Sequence, residues 1–321
     1  MTDALASSTD LIAMKTTDTT RKDVESGRLG FRLTLPAQIL VLFISVFPLL
    51  MQLYISLTDW SPLDGVPWWM AWESWNTFAN YTDLAIDTRF WDAVGRTLLV
   101  MAVCVPAEFL LGFGLALLFM DDFRGKRLFY SIMLMPMMVV PAVAGYMFFM
   151  LFQSGGPVND IISSLIGQPF SLAWLSSPQW ALVAVMIADI WQWTPLMFLI
   201  LLAGLAGVPD DQLKAATLLG ASWPQKFRTI ILPKMKTIII IALAIRVIEN
   251  FKIFDTLYIM TGGGPGVATE TISVYIYKVT QNDLIWGYVA AIALAILIVL
   301  SVAANFAISR MNRARNVGSA A

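Results

Sequence analysis

Histidine is absent from the 321 residues, and cysteine occurs once, at Cys104. The first absence removes the commonest metal ligand and the commonest acid–base group at neutral pH. The second rules out an internal disulfide or a thiolate metal cluster, so Cys104, set in an apolar run, is expected to be a small buried side chain. Charge is scarce as well: 13% of residues carry it and the net value is −1, against roughly a quarter charged in a soluble domain. A large basic patch for nucleic acid therefore has little support. The chain contains no G-x-S-x-G, no zinc-ligand spacing and no Walker A sequence. No hydrolytic constellation is encoded, so any active transport must draw its energy from another chain or from an ion gradient.

What the chain has is apolar surface. At 58% hydrophobic, it exceeds the share a soluble domain can bury, which marks an integral membrane protein. A spanning helix needs about 20 apolar residues. Six stretches qualify: 33–57, 93–120, 128–152 (with Pro136 and Pro141 inside), 180–206 (with Asp189 and Pro195), 238–260 and 287–309. Basic residues set the orientation. The segment before the first stretch carries Lys15, Arg21, Lys22, Arg28 and Arg32, the second connection Arg124, Lys126 and Arg127, the fourth Lys214, Lys226, Arg228, Lys234 and Lys236, and the end Arg310, Arg313 and Arg315. The first connection has Arg89 alone, the third none, and the fifth Lys278 alone. The alternation predicts an all-α polytopic protein of six transmembrane helices with both termini cytoplasmic. Residues 1–30 are polar and lack an apolar core with a cleavage site, so they are expected to be a disordered cytoplasmic tail rather than a signal peptide. The membrane domain is placed at 31–312 and a second tail at 313–321.

The first outside loop holds Trp60, Trp68, Trp69, Trp72, Trp75 and Trp91. Indoles favour the headgroup layer, and a docking surface for an extracytoplasmic partner is the sharper alternative. In the last outside loop, Gly262-Gly263-Gly264-Pro265-Gly266 lacks the Lys-Ser/Thr pair of a phosphate loop and reads as a tight turn at a helix end.

Charges within the bilayer are costly and usually face a cavity or a partner. Arg246, Glu249, Lys252 and Asp255 are spaced i, i+3, which lets opposite charges meet as a self-neutralising strip. Part of the strip, with Asn250, Phe251 and Phe254, could instead line a polar path. Asp189, Gln192 and Trp193 lie near one helix face, and a carboxylate, an amide and an indole suit a polyhydroxylated ligand. The same groups would also serve as polar glue between helices. Pro195 invites a local break. Glu108 is expected to serve packing or a partner contact. An ion-coupled secondary transporter using Asp189 and Glu249 as protonation sites is the alternative functional reading.

The stretch 208–237 is a polar island between two apolar segments. Asp210 and Asp211 suit the positive end of a helix. Gln212 to Leu219 make about two turns, and Gly220 ends them. Ser222 and Gln225 have capping-box spacing with Pro224 between them, and Ile231-Leu232-Pro233 is expected to end the second short helix. The run K-A-A-T-L-L-G-A-S-W-P-Q-K-F-R-T-I-I-L-P resembles the EAA loop of binding-protein-dependent ABC importer permeases. It matches that pattern at Ala215, Ala216, Gly220, Ala221, Phe227, Ile230, Leu232 and Pro233, and departs from it at Lys214 (usually Glu) and Leu219 (often Asp). From about Leu33 onward the chain is similar to the sugar-permease branch that includes the maltose permease subunits.

The resemblance implies a subunit of the bacterial plasma (inner) membrane that holds no cofactor and is not an enzyme, with ATP hydrolysed by a partner. The implied partners are a second permease subunit forming a heterodimer, two copies of a cytoplasmic ATPase and an extracytoplasmic solute-binding protein. Lys214, Ala215, Ala216, Leu219, Gly220, Ala221 and Phe227 would couple to the ATPase. Matching positions place the substrate site at Asp189, Gln192, Trp193, Leu196, Arg246, Asn250 and Ile253, with Met138 and Ala142 nearby. Asp189 and Arg246 stand where the maltose permease has uncharged polar residues. A polar or charged sugar derivative, a polyol or a disaccharide would suit them, unless the two pair with each other.

Overall fold

A computed structural model describes residues 33–318. The tail expected at 1–30 and the last residues, 319–321, lie outside the described residues. Among the described residues no β-strand forms; a lone antiparallel bridge joins Thr58 to Trp75. The helices are α1 (Leu33–Ser56), α2 (Ala79–Ile86), α3 (Thr88–Leu118), α4 (Lys126–Met138), α5 (Pro141–Leu151), α6 (Pro157–Ile166), α7 (Pro178–Leu205), α8 (Asp210–Leu218), α9 (Trp223–Lys226), α10 (Leu232–Phe251), α11 (Asp255–Thr261), α12 (Ile272–Lys278) and α13 (Trp286–Gly318). Because α13 continues to Gly318, the boundary expected at 313 falls inside a helix.

Three helices, α1, α3 and α7, are long and apolar enough to cross a membrane, and α4 with α5 makes a fourth candidate if that bent pair is one span. The other two expected stretches are α10 with α11 and the apolar Trp286–Val302 part of α13. The 96° bend between α4 and α5 follows from sequence. Residues before a proline are pushed out of the helical region, and Val139 and Val140, just before Pro141, have ψ of 127° and 135°. Pro195 behaves differently. The expected break there does not occur, and α7 runs unbroken for 28 residues. Pro195, Met197, Phe198 and Leu201 are all buried, so packing holds the helix through the proline.

The described residues form two compact units, one of residues 33–84 with 284–318 and one of 85–283. In the first, the apolar stretch of α1 is almost wholly unburied. Asn80 Nδ2 donates to the carbonyls of Ser56 and Thr58 at 3.0 and 2.9 Å, fixing the chain after α1.

The second unit is built on the pairing of α3 with α7. A Cβ added to Gly112 on α3 would stand 2.7 Å from Met197 Cβ and 2.8 Å from Phe198 N, so this approach requires glycine. Two apolar clusters fill the unit. One gathers Val100 and Cys104 of α3, Phe148 of α5, Val185 and Ala188 of α7, and Leu257 and Met260 of α11. The other gathers Phe113 and Ala116 of α3, Met197 and Leu201 of α7, and Met235 and Ala242 of α10. Buried polar side chains from α3, α7 and α10 gather as a polar layer between the helices that carry these clusters.

Candidate functional site

That polar layer holds Glu108 from α3, Asp189 and Gln192 from α7, and Arg246 and Asn250 from α10, each no more than 3% exposed. Arg246 reaches Glu108 through both Nε and Nη2, the latter at 2.8 Å, and also donates from Nη2 to Asp189 Oδ2 at 2.6 Å. Asn250 Nδ2 donates to the same Asp189 oxygen at 2.6 Å. The guanidinium lies 5.1 Å from the centre of the Trp193 ring. A planar fork that serves two carboxylates and stacks on an indole is a task for arginine and not for lysine. Asp189 and Arg246 thus pair with each other, and Glu108 completes the cluster. The buried Asn250 Oδ1 has no hydrogen-bond partner among the described residues.

The four-charge strip expected along one helix is replaced by a split arrangement. Arg246 turns toward α3 and α7. Glu249 pairs with Lys252 at 3.0 Å on an exposed surface. Asp255 begins α11, because the backbone leaves the helix at Lys252 and reaches φ −141° at Phe254. Asp189, Trp193, Arg246, Glu249, Lys252, Ile253 and Asp255 line one cavity of about 310 Å³.

The other expected substrate residues lie elsewhere. Gln192 Nε2 donates to the Val139 carbonyl at 2.9 Å, and its Oε1 accepts from Thr256 Oγ1 at 3.3 Å. Thr256 Oγ1 also lies 3.1 Å from the Pro141 carbonyl. Backbone at a helix break must be satisfied internally, and these two side chains do this for the α4–α5 bend. Met138 ends α4 at 80% exposure, while Leu196 and Ala142 are half-buried and do not line the cavity.

The polar island folds as a helix, a turn and a second helix. Asp210 and Asp211 open α8, and Gly220 closes it at φ +79°. Ser222 and Gln225 form the capping box of α9 with Pro224 in its first turn. The expected end at Ile231-Leu232-Pro233 is absent. Residues Phe227–Ile231 form a π-helical turn in which Leu232 N donates to the Phe227 carbonyl, and the helix continues as α10. The wider turn passes Pro233, which has no N–H to give, through the first turn of α10. Lys214, Ala215, Leu219 and Gly220 are exposed, and Ala216 and Ala221 half-buried. Leu218 and Leu219 are 90% and 87% exposed. Phe227 packs inward, stacked on Trp223 at 5.3 Å and tilted against Phe113 of α3 at 5.8 Å.

A second charged cluster escaped the sequence reading. Glu270, fully buried between α11 and α12, accepts from Arg89 at 2.8 and 3.0 Å and from Lys278 at 2.9 Å, and its carbonyl accepts from Arg96 at 2.9 Å. Burial pushes the Glu270 carboxyl up, but the hydrogen bonds from Arg89 and Lys278 outweigh it and hold the group below the usual carboxylate range. The signal was present in sequence: Arg89 and Lys278 are the single basic residues of two otherwise basic-poor connections.

Residues 108–315 match the family described as binding-protein-dependent transport system inner membrane component. The chain is 34% identical over 272 residues to the sulfoquinovosyl glycerol transport system permease protein SmoG of Agrobacterium fabrum, covering 84% of this chain and 86% of that one. It is 32% identical over 262 residues to the trehalose/maltose transport system permease protein MalF of Thermococcus litoralis, covering 81% and 86%. Its fold is similar to that of a chain in the crystal structure of a bacterial alginate ABC transporter with its pentasaccharide-bound periplasmic protein, with a TM-score of 0.74 at 20% identity over 89% of this chain and 94% of that chain. The polar layer, the exposed α8 and these matches lead to one conclusion: the chain belongs to the family of binding-protein-dependent transport system inner membrane components, the membrane-embedded permease subunits of ABC importers.

Proposed function

We propose that this subunit moves a carbohydrate along the polar layer of α3, α7 and α10. The carrying observation is that a buried, hydrogen-bonded set of charges on three packed helices lines a cavity at Asp189, Trp193 and Arg246. Charges placed this way inside a membrane mark a pathway. The names of the two relatives, one of a sulfoquinovosyl glycerol system and one of a trehalose/maltose system, support a carbohydrate cargo. Asp189 and Arg246 orient each other, Trp193 and Ile253 supply apolar wall, and Asn250 offers its unpartnered carbonyl oxygen to a ligand hydroxyl once the layer opens. Met138, Ala142 and Leu196 would meet cargo in another conformation of the transporter.

On this reading both termini are cytoplasmic, and α8 seats in a cleft of a cytoplasmic ATPase. Lys214 stands where the family usually has glutamate, and Leu218 and Leu219 are bare, so the contact is made by shape more than by charge. Ala215, Ala216, Gly220 and Ala221 keep the approach close. Phe227 passes the stroke to Phe113 and so to α3. Two ATPase copies, a second and different permease chain, and an extracytoplasmic binding protein complete the machine, with ATP hydrolysed outside this chain. The secondary-transporter alternative is disfavoured by geometry, since Asp189 is locked between Arg246 and Asn250 in the buried cluster and Glu249 lies on an exposed surface beside Lys252.

The test is reconstitution into proteoliposomes. Uptake of the sugar held by the cognate binding protein is expected only with ATP, the ATPase and that binding protein together. Uptake by this chain alone under a proton gradient would overturn the reading.

A further inference from the structure

The chain that follows α1 closes on itself. Asp59 N donates to the Ser74 carbonyl at 2.9 Å, Asn76 N to the Leu57 carbonyl at 2.9 Å, and Thr58 bridges Trp75. Both ends of this loop are therefore fixed at the last turn of α1. The start of α13 presses on the same point, since a Cβ on Gly287 would lie 2.0 Å from the Thr58 carbonyl oxygen. Trp60 stands edge-on to Trp286, 5.8 Å away, and donates to the Val66 carbonyl at 2.8 Å.

Inside the loop, Trp68–Ser74 is a 3₁₀ helix. Residues three apart eclipse in that geometry, which lines up Trp69 and Trp72, and Trp75 follows at the same spacing. They are 60%, 60% and 51% exposed, whereas Ala71 is buried. Tyr54, in the last turns of α1, braces the ridge: its hydroxyl accepts from Trp72 N at 2.8 Å and donates to the Trp69 carbonyl at 3.2 Å. α1 is the apolar and almost wholly unburied span, so its end marks the edge of the hydrocarbon. The brace holds the exposed indoles of Trp69 and Trp72 at that edge, and the bridge to Thr58 holds Trp75 beside them.

We propose that the Trp69–Trp72–Trp75 ridge is a seat for lipid headgroups in the leaflet where α1 ends, and that it takes zwitterionic headgroups in preference to anionic ones. Indoles favour the headgroup layer because one end of the ring system is apolar and the N–H is polar. The headgroup preference follows from charge. Residues 58–75 contain Asp59, Asp64 and Glu73 and neither lysine nor arginine, so an anionic surface is repelled at short range.

The full chain in nanodiscs of phosphatidylcholine brominated either near the headgroup or near the chain end tests this. Bromine quenches indole fluorescence on contact. The expected result is stronger quenching by the shallow label than by the deep one, and loss of that excess in the W69F/W72F/W75F variant. Tyr54→Phe keeps every indole and removes only the brace, so it is expected to shrink the excess without depending on the folding of the triple variant. Exchanging part of the lipid for phosphatidylglycerol is expected to reduce the excess. Equal quenching in the wild type and the triple variant overturns the proposal, as does protection of the ridge only after the binding protein is added. A larger excess with phosphatidylglycerol overturns the headgroup preference.

Discussion

Arg246 ties α10 to α3 and α7 through two buried ion pairs. It is 2% exposed and holds two carboxylates from two other helices. Removing one partner of a buried ion pair strands the other, at a cost of about 3–5 kcal/mol. Arg246→Leu would leave both Glu108 and Asp189 without their guanidinium, so a large fall in thermal stability of the purified chain is expected, with Arg246→Lys recovering only part of it because the fork is lost. An unchanged melting temperature for Arg246→Leu would show that the cluster is not structural. Asp189 and Arg246 were legible in sequence as costly intramembrane charges, but the pairing of Arg246 with Glu108 was not. Spacing along one helix pointed Arg246 at Glu249, and the partner that won lies 138 residues away.

At the scale of elements, α8 and the α11–α12 connection respond differently to change. α8 is a bare surface helix. Leu218 is 90% exposed, and substitutions at such sites usually change stability by no more than about 0.5 kcal/mol. Leu218→Lys is therefore expected to leave unfolding unchanged while ATP hydrolysis by the assembled importer loses its dependence on the loaded binding protein. Intact coupling would argue against docking at α8. Gly220→Ala meets no neighbour within 4 Å, so its expected cost is the left-handed backbone alone, about 1 kcal/mol. The α11–α12 connection is held by Glu270. Its carboxyl titrates lower in the folded chain than in the unfolded one, so its stabilising contribution is complete above the unfolded value and fades as pH falls through the folded one. Glu270→Gln is expected to lower stability at neutral pH and to flatten the loss on acidification, read by melting at a series of pH values. The α8 helix, its capping box and the glycine end of α11 followed from local sequence signals. The α4–α5 bend was hinted at by its prolines, whereas the straight course of α7 through Pro195 was decided by neighbours that no local signal reveals.

For the whole molecule, the cavity sets an expectation about cargo. Its charged lining is Asp189, Glu249 and Asp255 against Arg246 and Lys252, and Glu108 adds a further acid behind Arg246. An excess of carboxylates disfavours anions. In reconstituted importer, Glu249→Gln with Asp255→Asn is expected to raise uptake of an acidic sugar relative to a neutral one, and an unchanged ratio would place selectivity elsewhere.

The sequence by itself determined the membrane class, the all-helical fold and the EAA-like loop. Those depend on composition, on apolar run length and on residues close together in the chain. Tertiary structure decided which charges meet, where the fifth stretch breaks, and that Gln192 and Thr256 hydrogen-bond the Val139 and Pro141 carbonyls at the α4–α5 bend. These contacts join residues tens to more than a hundred positions apart. Burial sets their energy, and burial exists only once α3, α7 and α10 have packed together.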